Sequence, residues 1–339
     1  MGYEPINSIC NFNLPYLPSH MHMAVKPMLP RLAIFASRSS APRRWDLPTF
    51  ADAAKASGFA GVEIALADLG RDEIEQKASA DAIRSSDLQL IVDISSAPSI
   101  TSSSTQSPSS PLDHARAFES QLCRISALGD VVSHVNCTQS GDIGWDVATS
   151  AEYLGEVLPL SAQFLEDHPY IGRYGRETDI MGGSPHHLTG ISHETNARGV
   201  LHRPDAVREL MEILPPIRIT SDIQQWHDSC GYQWGFGGDG DYDEVEALTI
   251  EIVPHIDHIR AGLGRETIAP HDELWKFVWG RKAKRGVEQV TITPALRGFD
   301  TNNGATEDKT TLWEQTQKVA DCVRRSYDHW VESERTGKK

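Results

Sequence analysis

The sequence has no run approaching the roughly 20 consecutive apolar residues that a membrane span requires, so no membrane association is expected. Cysteine is scarce and scattered: Cys10, Cys123, Cys137, Cys230 and Cys322 form no CxxC pair and no Cys/His ladder. That excludes a recognisable zinc or disulfide framework and leaves reduced thiols as the expectation. Positive charge is in the minority, with 32 Lys and Arg against 47 Asp and Glu and a formal net charge of −15. Such a field repels phosphate backbones, so nucleic acid is not an expected partner. Residues 1–30 are rich in Pro and Met but have neither a basic start leading into an apolar run nor an Arg-rich amphipathic pattern. They read as an N-terminal extension without a targeting signal, and a cytoplasmic location is expected.

What is present is a globular composition, 39% hydrophobic and 23% charged, arranged as alternating short β-rich runs and longer helical patterns. Strands are predicted over 31–36, 61–65, 88–94, 131–137, 188–194, 217–223, 255–261 and 289–294. Helices are predicted over 49–57, 71–84, 112–127, 149–166, 205–214, 243–252, 271–284 and 310–331. Pro204 and Pro270 stand where a first helical turn tolerates a missing N–H. Eight alternating βα units favour an α/β fold of the closed (β/α)8 (TIM) barrel kind over a doubly wound sheet. The expected layout is one domain over 31–332 with a tail at 333–339.

Three insertions fit no element. Residues 95–111 form a Ser/Pro/Thr run read as a disordered loop, with a lid as the alternative. Residues 231–243 carry Tyr232, Trp234 and Phe236 among glycines and acids, an aromatic load suited to closing over a ligand. The acidic stretch 239–244 lacks the spacing of a calcium loop and reads as solvated. Residues 169–187 precede the fifth strand and belong on the face of a barrel that serves stability.

In such a barrel the chemistry sits at the C-terminal ends of the strands. Polar residues gather there: His134, Asn136, Gln139 and Ser140 on strand four, then His193-Glu194-Thr195-Asn196-Ala197-Arg198-Gly199 on strand five. Strand six ends Ser221-Asp222-Ile223-Gln224-Gln225-Trp226-His227, and strand seven runs Asp257-His258-Ile259-Arg260-Ala261-Gly262. Together with Asn136 to Gly141 and Thr293-Pro294-Ala295, these segments resemble the xylose isomerase-like superfamily of sugar phosphate isomerases and epimerases over most of the chain beyond Arg31. The resemblance implies a divalent-metal site whose ligands are a Glu, an Asp, a His and a final Glu. Glu194 and Asp222 match the first two, whereas Arg260 stands for the ligand His and Ala295 for the ligand Glu. Gln225 and Asn196 likewise stand where the family has histidines.

An inward Arg260 would place a permanent guanidinium where the resemblance implies an ion, compensating Glu194 and Asp222 through hydrogen bonds. No cofactor is therefore expected; the alternative is manganese or zinc held by Glu194 and Asp222 with His227 or His258, with Glu266 and His271 nearby in sequence. The leading functional expectation is an isomerase, epimerase or lyase-type enzyme, a cyclase included, that moves protons on a hydroxylated or carbonyl-bearing small molecule, in a biosynthetic pathway. Glu194 or Asp222 would serve as base, with Arg260 and His258 completing the catalytic set. Glu63, Asn136, Gln139, Asn196, Arg198, Gln225, Trp226, His227 and Trp234 are the candidate substrate contacts. The aromatic loop suggests a substrate less polar than a bare sugar, of polyketide or terpenoid kind. The bland readings stand beside these: His258 as a satisfied core histidine, Arg260 as a structural salt bridge, Glu63 as a loop cap, and His186 and His187 as incidental. The rivals are a rearranged metal-dependent sugar epimerase, a catalytically silent ligand-binding barrel, and an abasic-site endonuclease, which the acidic charge and missing histidines oppose. A homo-oligomer is compatible with the sequence.

Overall fold

The computed structural model describes residues 29–97, 110–141, 144–175, 189–195, 199–222, 251–263, 269–296 and 309–337. Its eight strands are β1 (Arg31–Ser37), β2 (Gly61–Ala65), β3 (Gln89–Ser95), β4 (Val132–Gln139), β5 (Ile191–Glu194), β6 (Ile219–Asp222), β7 (Ile256–Leu263) and β8 (Gln289–Leu296). Each pairs in parallel with the next, and β8 pairs with β1, which closes the barrel. All eight fall on the predicted runs. The described helices are α1 (Leu47–Ala56), α2 (Glu73–Ser85), α3 (Pro111–Ser126), α4 (Val147–Asp167), α5 (Pro204–Ile213), α6 (Ala269–Lys284) and α7 (Lys309–Thr336). The predicted helix at 243–252 and the aromatic insertion at 231–243 lie mostly or wholly outside the described residues, as do the centres of the other two insertions.

Local chemistry explains where the helices begin. Asp46, Asp72 and Asp146 each accept a hydrogen bond from the backbone N–H three residues on, and Ser110 and Asp113 form a reciprocal capping box. The end of the Ser-rich run is therefore a helix start, with Pro111 in the first turn. At the other terminus α7 runs beyond its predicted end and takes in part of the expected tail. Its last turns bury little, so apolar periodicity does not reveal them, but Glu and Arg are good helix formers. Gly337, at φ +67°, closes it.

The main core lies between strands and helices, where Val62, Ile64, Leu90, Val92, Val135, Ile219 and Ile292 meet Phe50, Phe118, Tyr153, Trp275 and Trp279. The lumen is divided. One side is a small apolar cluster of Ala33, Phe35 and Ile91. The other is hydrogen-bonded: His134 Nε2 to Ser192 Oγ at 2.6 Å, Ser192 Oγ to Thr220 Oγ1 at 2.5 Å, and His258 Nδ1 to Thr291 Oγ1 at 2.8 Å. This paired polar layer forms the floor beneath the mouth, because buried polar atoms keep their positions only when satisfied. No described helix is long and apolar enough to cross a membrane.

Gly61 is what lets the Phe35 ring into the lumen. A Cβ there would lie 2.4 Å from Phe35 Cε1 and 2.4 Å from the backbone oxygen of Gln89. Gly61→Ala should therefore cost about 1–3 kcal/mol, as overpacking of a filled core does. A urea midpoint equal to that of the parent protein would show that the lumen is not packed as described.

Candidate active site

The mouth is built by alternation along buried parallel strands, where every second residue faces the lumen. On β7, His258 and Arg260 face inward; on β5, Ser192 and Glu194; on β6, Thr220 and Asp222. Register sets Asp222 opposite Arg260 on neighbouring strands. β2 contributes Glu63, β3 Asp93 and β4 Asn136.

Arg260 is the centre of this arrangement. Its Nη1 donates to Glu194 Oε1 at 2.9 Å, and its Nη2 donates to both Glu63 Oε1 and Asp93 Oδ2, the latter at 2.9 Å. Burial works against the guanidinium's charge, but Glu194, Glu63, Asp93 and Asp222, in that order, outweigh it and raise its pKa well above the ordinary value. The partners differ from the expected pair: Glu63 and Asp93 join Glu194 in contact with the cation, and Asp222 adds to its field. Glu63 thus belongs to the cluster and is not the cap of a loop.

Asp93 was not among the residues predicted from sequence. It is the only ionisable residue in the strand Gln89–Ser95, and that isolation within an apolar run was the available signal. Its inward direction was not readable, because both faces of a buried parallel strand are apolar. Asn136 Nδ2 donates to Asp93 Oδ1 at 2.8 Å. Burial first, and then the Glu63 carboxylate, push the Asp93 carboxyl up to about 7, against the opposing pull of Arg260 and Asn136.

His258 is fully buried, with Nδ1 at 2.8 Å from Thr291 Oγ1 and Nε2 at 3.1 Å from Thr293 Oγ1. Its Nε2 also lies 3.5 Å from Glu63 Oε2. Burial and then Arg260 hold its pKa down at about 3, so it is neutral and supports Glu63 from below. Gln139 ends β4, and its backbone oxygen accepts from the backbone and hydroxyl of Ser96 at 2.9 and 2.7 Å. Ser140 Oγ contacts His193 Nδ1 at 2.6 Å. This end of the Asn136 to Gly141 motif organises the strand and its loop outside the guanidinium cluster. Asn196, Arg198, Gln225, Trp226, His227, Trp234 and Glu266 lie outside the described residues. Cys123, Cys137 and Cys322 are free thiols.

One surviving member of the implied ligand set is already paired, and the alternative ligand His227 lies outside the described residues. Glu194 is engaged by a guanidinium nitrogen, and no group of three or more His, Cys, Asp or Glu among the described residues is arranged to hold a cation.

No family profile matches the sequence, and no curated protein matches it. Solved structures do. L-ribulose 3-epimerase superposes with a TM-score of 0.56 at 12% identity, over 91% of this chain and 98% of that one. The probable 3-DHS dehydratase AsbF from Bacillus anthracis gives 0.51 at 10% identity, over 86% and 99%. An AP endonuclease of family 2 from Brucella melitensis gives 0.50 at 13% identity, over 80% and 95%. At these identities the likeness is one of fold alone, a (β/α)8 barrel that carries different chemistries in these three proteins.

Three buried histidines predict an acid limit to stability. Burial holds His134 and His258 at about 3 and His193 at about 4, against an ordinary value of 6.5. Depressed groups contribute stability that is complete above 6.5 and lost as pH falls through the folded values. Asp93 acts in the opposite sense, losing stability as pH rises through about 7, but it is one group against three. Unfolding free energy should fall between pH 6.5 and 4.5, and His193→Asn should make that decline shallower by about 1.4 kcal/mol per pH unit. Parallel curves for the two proteins would contradict neutral burial of His193.

Proposed function

We propose that the protein is an isomerase or epimerase that moves protons on a hydroxylated or carbonyl-bearing small molecule without a divalent metal. The observation that carries this reading is the seating of Arg260 on Glu194, Glu63 and Asp93 at the C-terminal mouth of the barrel. A fixed guanidinium there supplies charge where the sugar isomerases and epimerases of the resemblance use an ion, and its planar donors hold carboxylates in place. Glu194 and Asp222 are the bases, able to take a proton from a carbon next to a carbonyl. The likeness of fold to an epimerase and to a dehydratase supports proton chemistry of this kind, with the lyase direction as its near relative. The surplus of carboxylates favours a neutral, hydroxylated ligand over a phosphorylated one at the centre of the mouth.

The test has two arms. Protein purified without chelator should contain metal well below one ion per chain, and Arg260→His combined with Ala295→Glu should take up manganese or zinc. A panel of hydroxyketones incubated with the chelator-treated protein in deuterium oxide should yield one that gains carbon-bound deuterium, with Glu194→Gln at least 100-fold slower. Near-stoichiometric metal in the parent protein, or exchange that stops on chelation, would overturn the metal-free reading and turn the search to a rearranged ligand set with His227.

A further inference from the structure

We infer that Asp93 and Glu63 form a proton-sharing carboxyl pair on Arg260, in which Asp93 is the acid that hands a proton to the substrate oxygen and takes it back. The part concerning the substrate rests on the proton-transfer reading above; the pair itself does not.

The first ground is convergence. One guanidinium nitrogen, Nη2, contacts an oxygen of each side chain, Glu63 Oε1 and Asp93 Oδ2, so the two carboxyl groups meet at a single donor. Two carboxylates forced together this way are stable when a proton lies between them.

The second ground is charge. Among the described residues, Glu194, Glu63, Asp93 and Asp222 bear on one guanidinium, and His258, which lies against Glu63, is neutral. Glu63 and Asp93, both ionised, would crowd two negative charges onto the one Nη2 group, and a proton retained between them relieves that repulsion. The Asp93 carboxyl, pushed up to about 7 by burial and by the Glu63 carboxylate, points the same way.

The third ground is Asn136. Its Nδ2 donates to Asp93 Oδ1 at 2.8 Å, while its own Oδ1 is buried with no hydrogen-bond partner. Turning the amide over exchanges an N–H to carboxylate bond for a carboxyl O–H to amide oxygen bond. Asn136 therefore fits Asp93 in both protonation states, which a residue serving a permanent carboxylate does not need to do.

Exposure separates the roles. The Glu63 side chain is 1% exposed and backed by His258, whereas that of Asp93 is 15% exposed and reaches the mouth. Glu63 is the positioning partner, and Asp93 is the proton carrier. With a carbonyl substrate, Glu194 or Asp222 takes the proton from the adjacent carbon. The C–H electron pair becomes the new C=C bond, and the carbonyl oxygen takes the Asp93 proton, giving a neutral enediol. Reversal at the other carbon or face returns both protons, with no net oxidation. Protonation by Asp93 avoids building an enolate against a mouth already rich in carboxylates.

The experiment is a pH titration of the intact protein labelled with 13C at the aspartate carboxyl carbons, with Asp93 assigned through bonds in the parent protein. Asp93 should titrate near neutrality, and in Glu63→Gln its midpoint should drop by at least one pH unit. The neutral signal should be absent in Asp93→Asn, with folding checked by circular dichroism. Titration of Asp93 below pH 5 in the parent protein, or a midpoint unmoved by Glu63→Gln, would overturn the pair. Failure of the proton-transfer reading alone would look different: the titration would stand and no tested carbonyl compound would gain deuterium.

Discussion

A single guanidinium inside a closed barrel is the constraint on which this mouth depends. Arg260 on β7 reaches Glu194 on β5, Glu63 on β2 and Asp93 on β3, so one side chain ties four strands across the lumen. Removing carboxylates from water costs several kcal/mol each unless a cation and hydrogen bonds replace the solvent. Glu63 and Glu194 are nearly inaccessible to solvent, so their presence follows from the cation between them. The neutral layer beneath, His258 with Thr291 and Thr293 and His134 with Ser192, holds the cluster from below without adding charge.

A guanidinium and a metal ion are different instruments. An ion binds several substrate oxygens at once and polarises them; Arg260 directs its Nη1 and Nη2 donors at protein carboxylates and has no coordination sphere to share. The proton transfer proposed for this site draws on carboxyl groups whose proton affinities differ. In this mouth Asp93 is pushed toward neutrality by burial and by Glu63, while Glu194 is held directly on the cation. This is the separation of paired acids that lets one carboxyl give a proton while another takes one.

Much of the architecture was legible in the residues. Strands such as Gln-Leu-Ile-Val and Val-Glu-Ile are short apolar runs between breakers, and Asp46, Asp72 and Asp146 mark helix starts by a mechanism that needs no tertiary context. Glu194 and Asp222 were legible because they end strands, where a barrel concentrates its chemistry, and all three, Arg260 included, because they stand at positions of the motifs the sequence resembles. Of the partners of Arg260, Glu194 was expected and Glu63 was named only as a candidate substrate contact, while Asp93 was missed. Asp93 sits among apolar neighbours on a strand buried on both faces, so nothing local says which way it points. The pairing of Glu63 with Arg260 and the neutrality of His258 depend on closure of β2 and β3 against β7 across the barrel, a long-range arrangement that strand patterns do not encode. The final turns of α7 escaped for the opposite reason: they bury too little to leave a periodic trace.

The central claim is that Arg260 compensates the negative charge of the buried carboxyl cluster, which persists with one proton retained by the Glu63–Asp93 pair, and the most direct measurement is the unfolding free energy of Arg260→Met against the parent protein at pH 8 and pH 5.5. With the cation gone, the carboxyl pKa values rise, and groups raised in this way lose stability as pH increases. The account predicts a deficit of about 3–5 kcal/mol at pH 8, the cost of stranding a buried charge, shrinking markedly at pH 5.5 as the carboxylates take up protons. An equal deficit at both values, or none at pH 8, would contradict it.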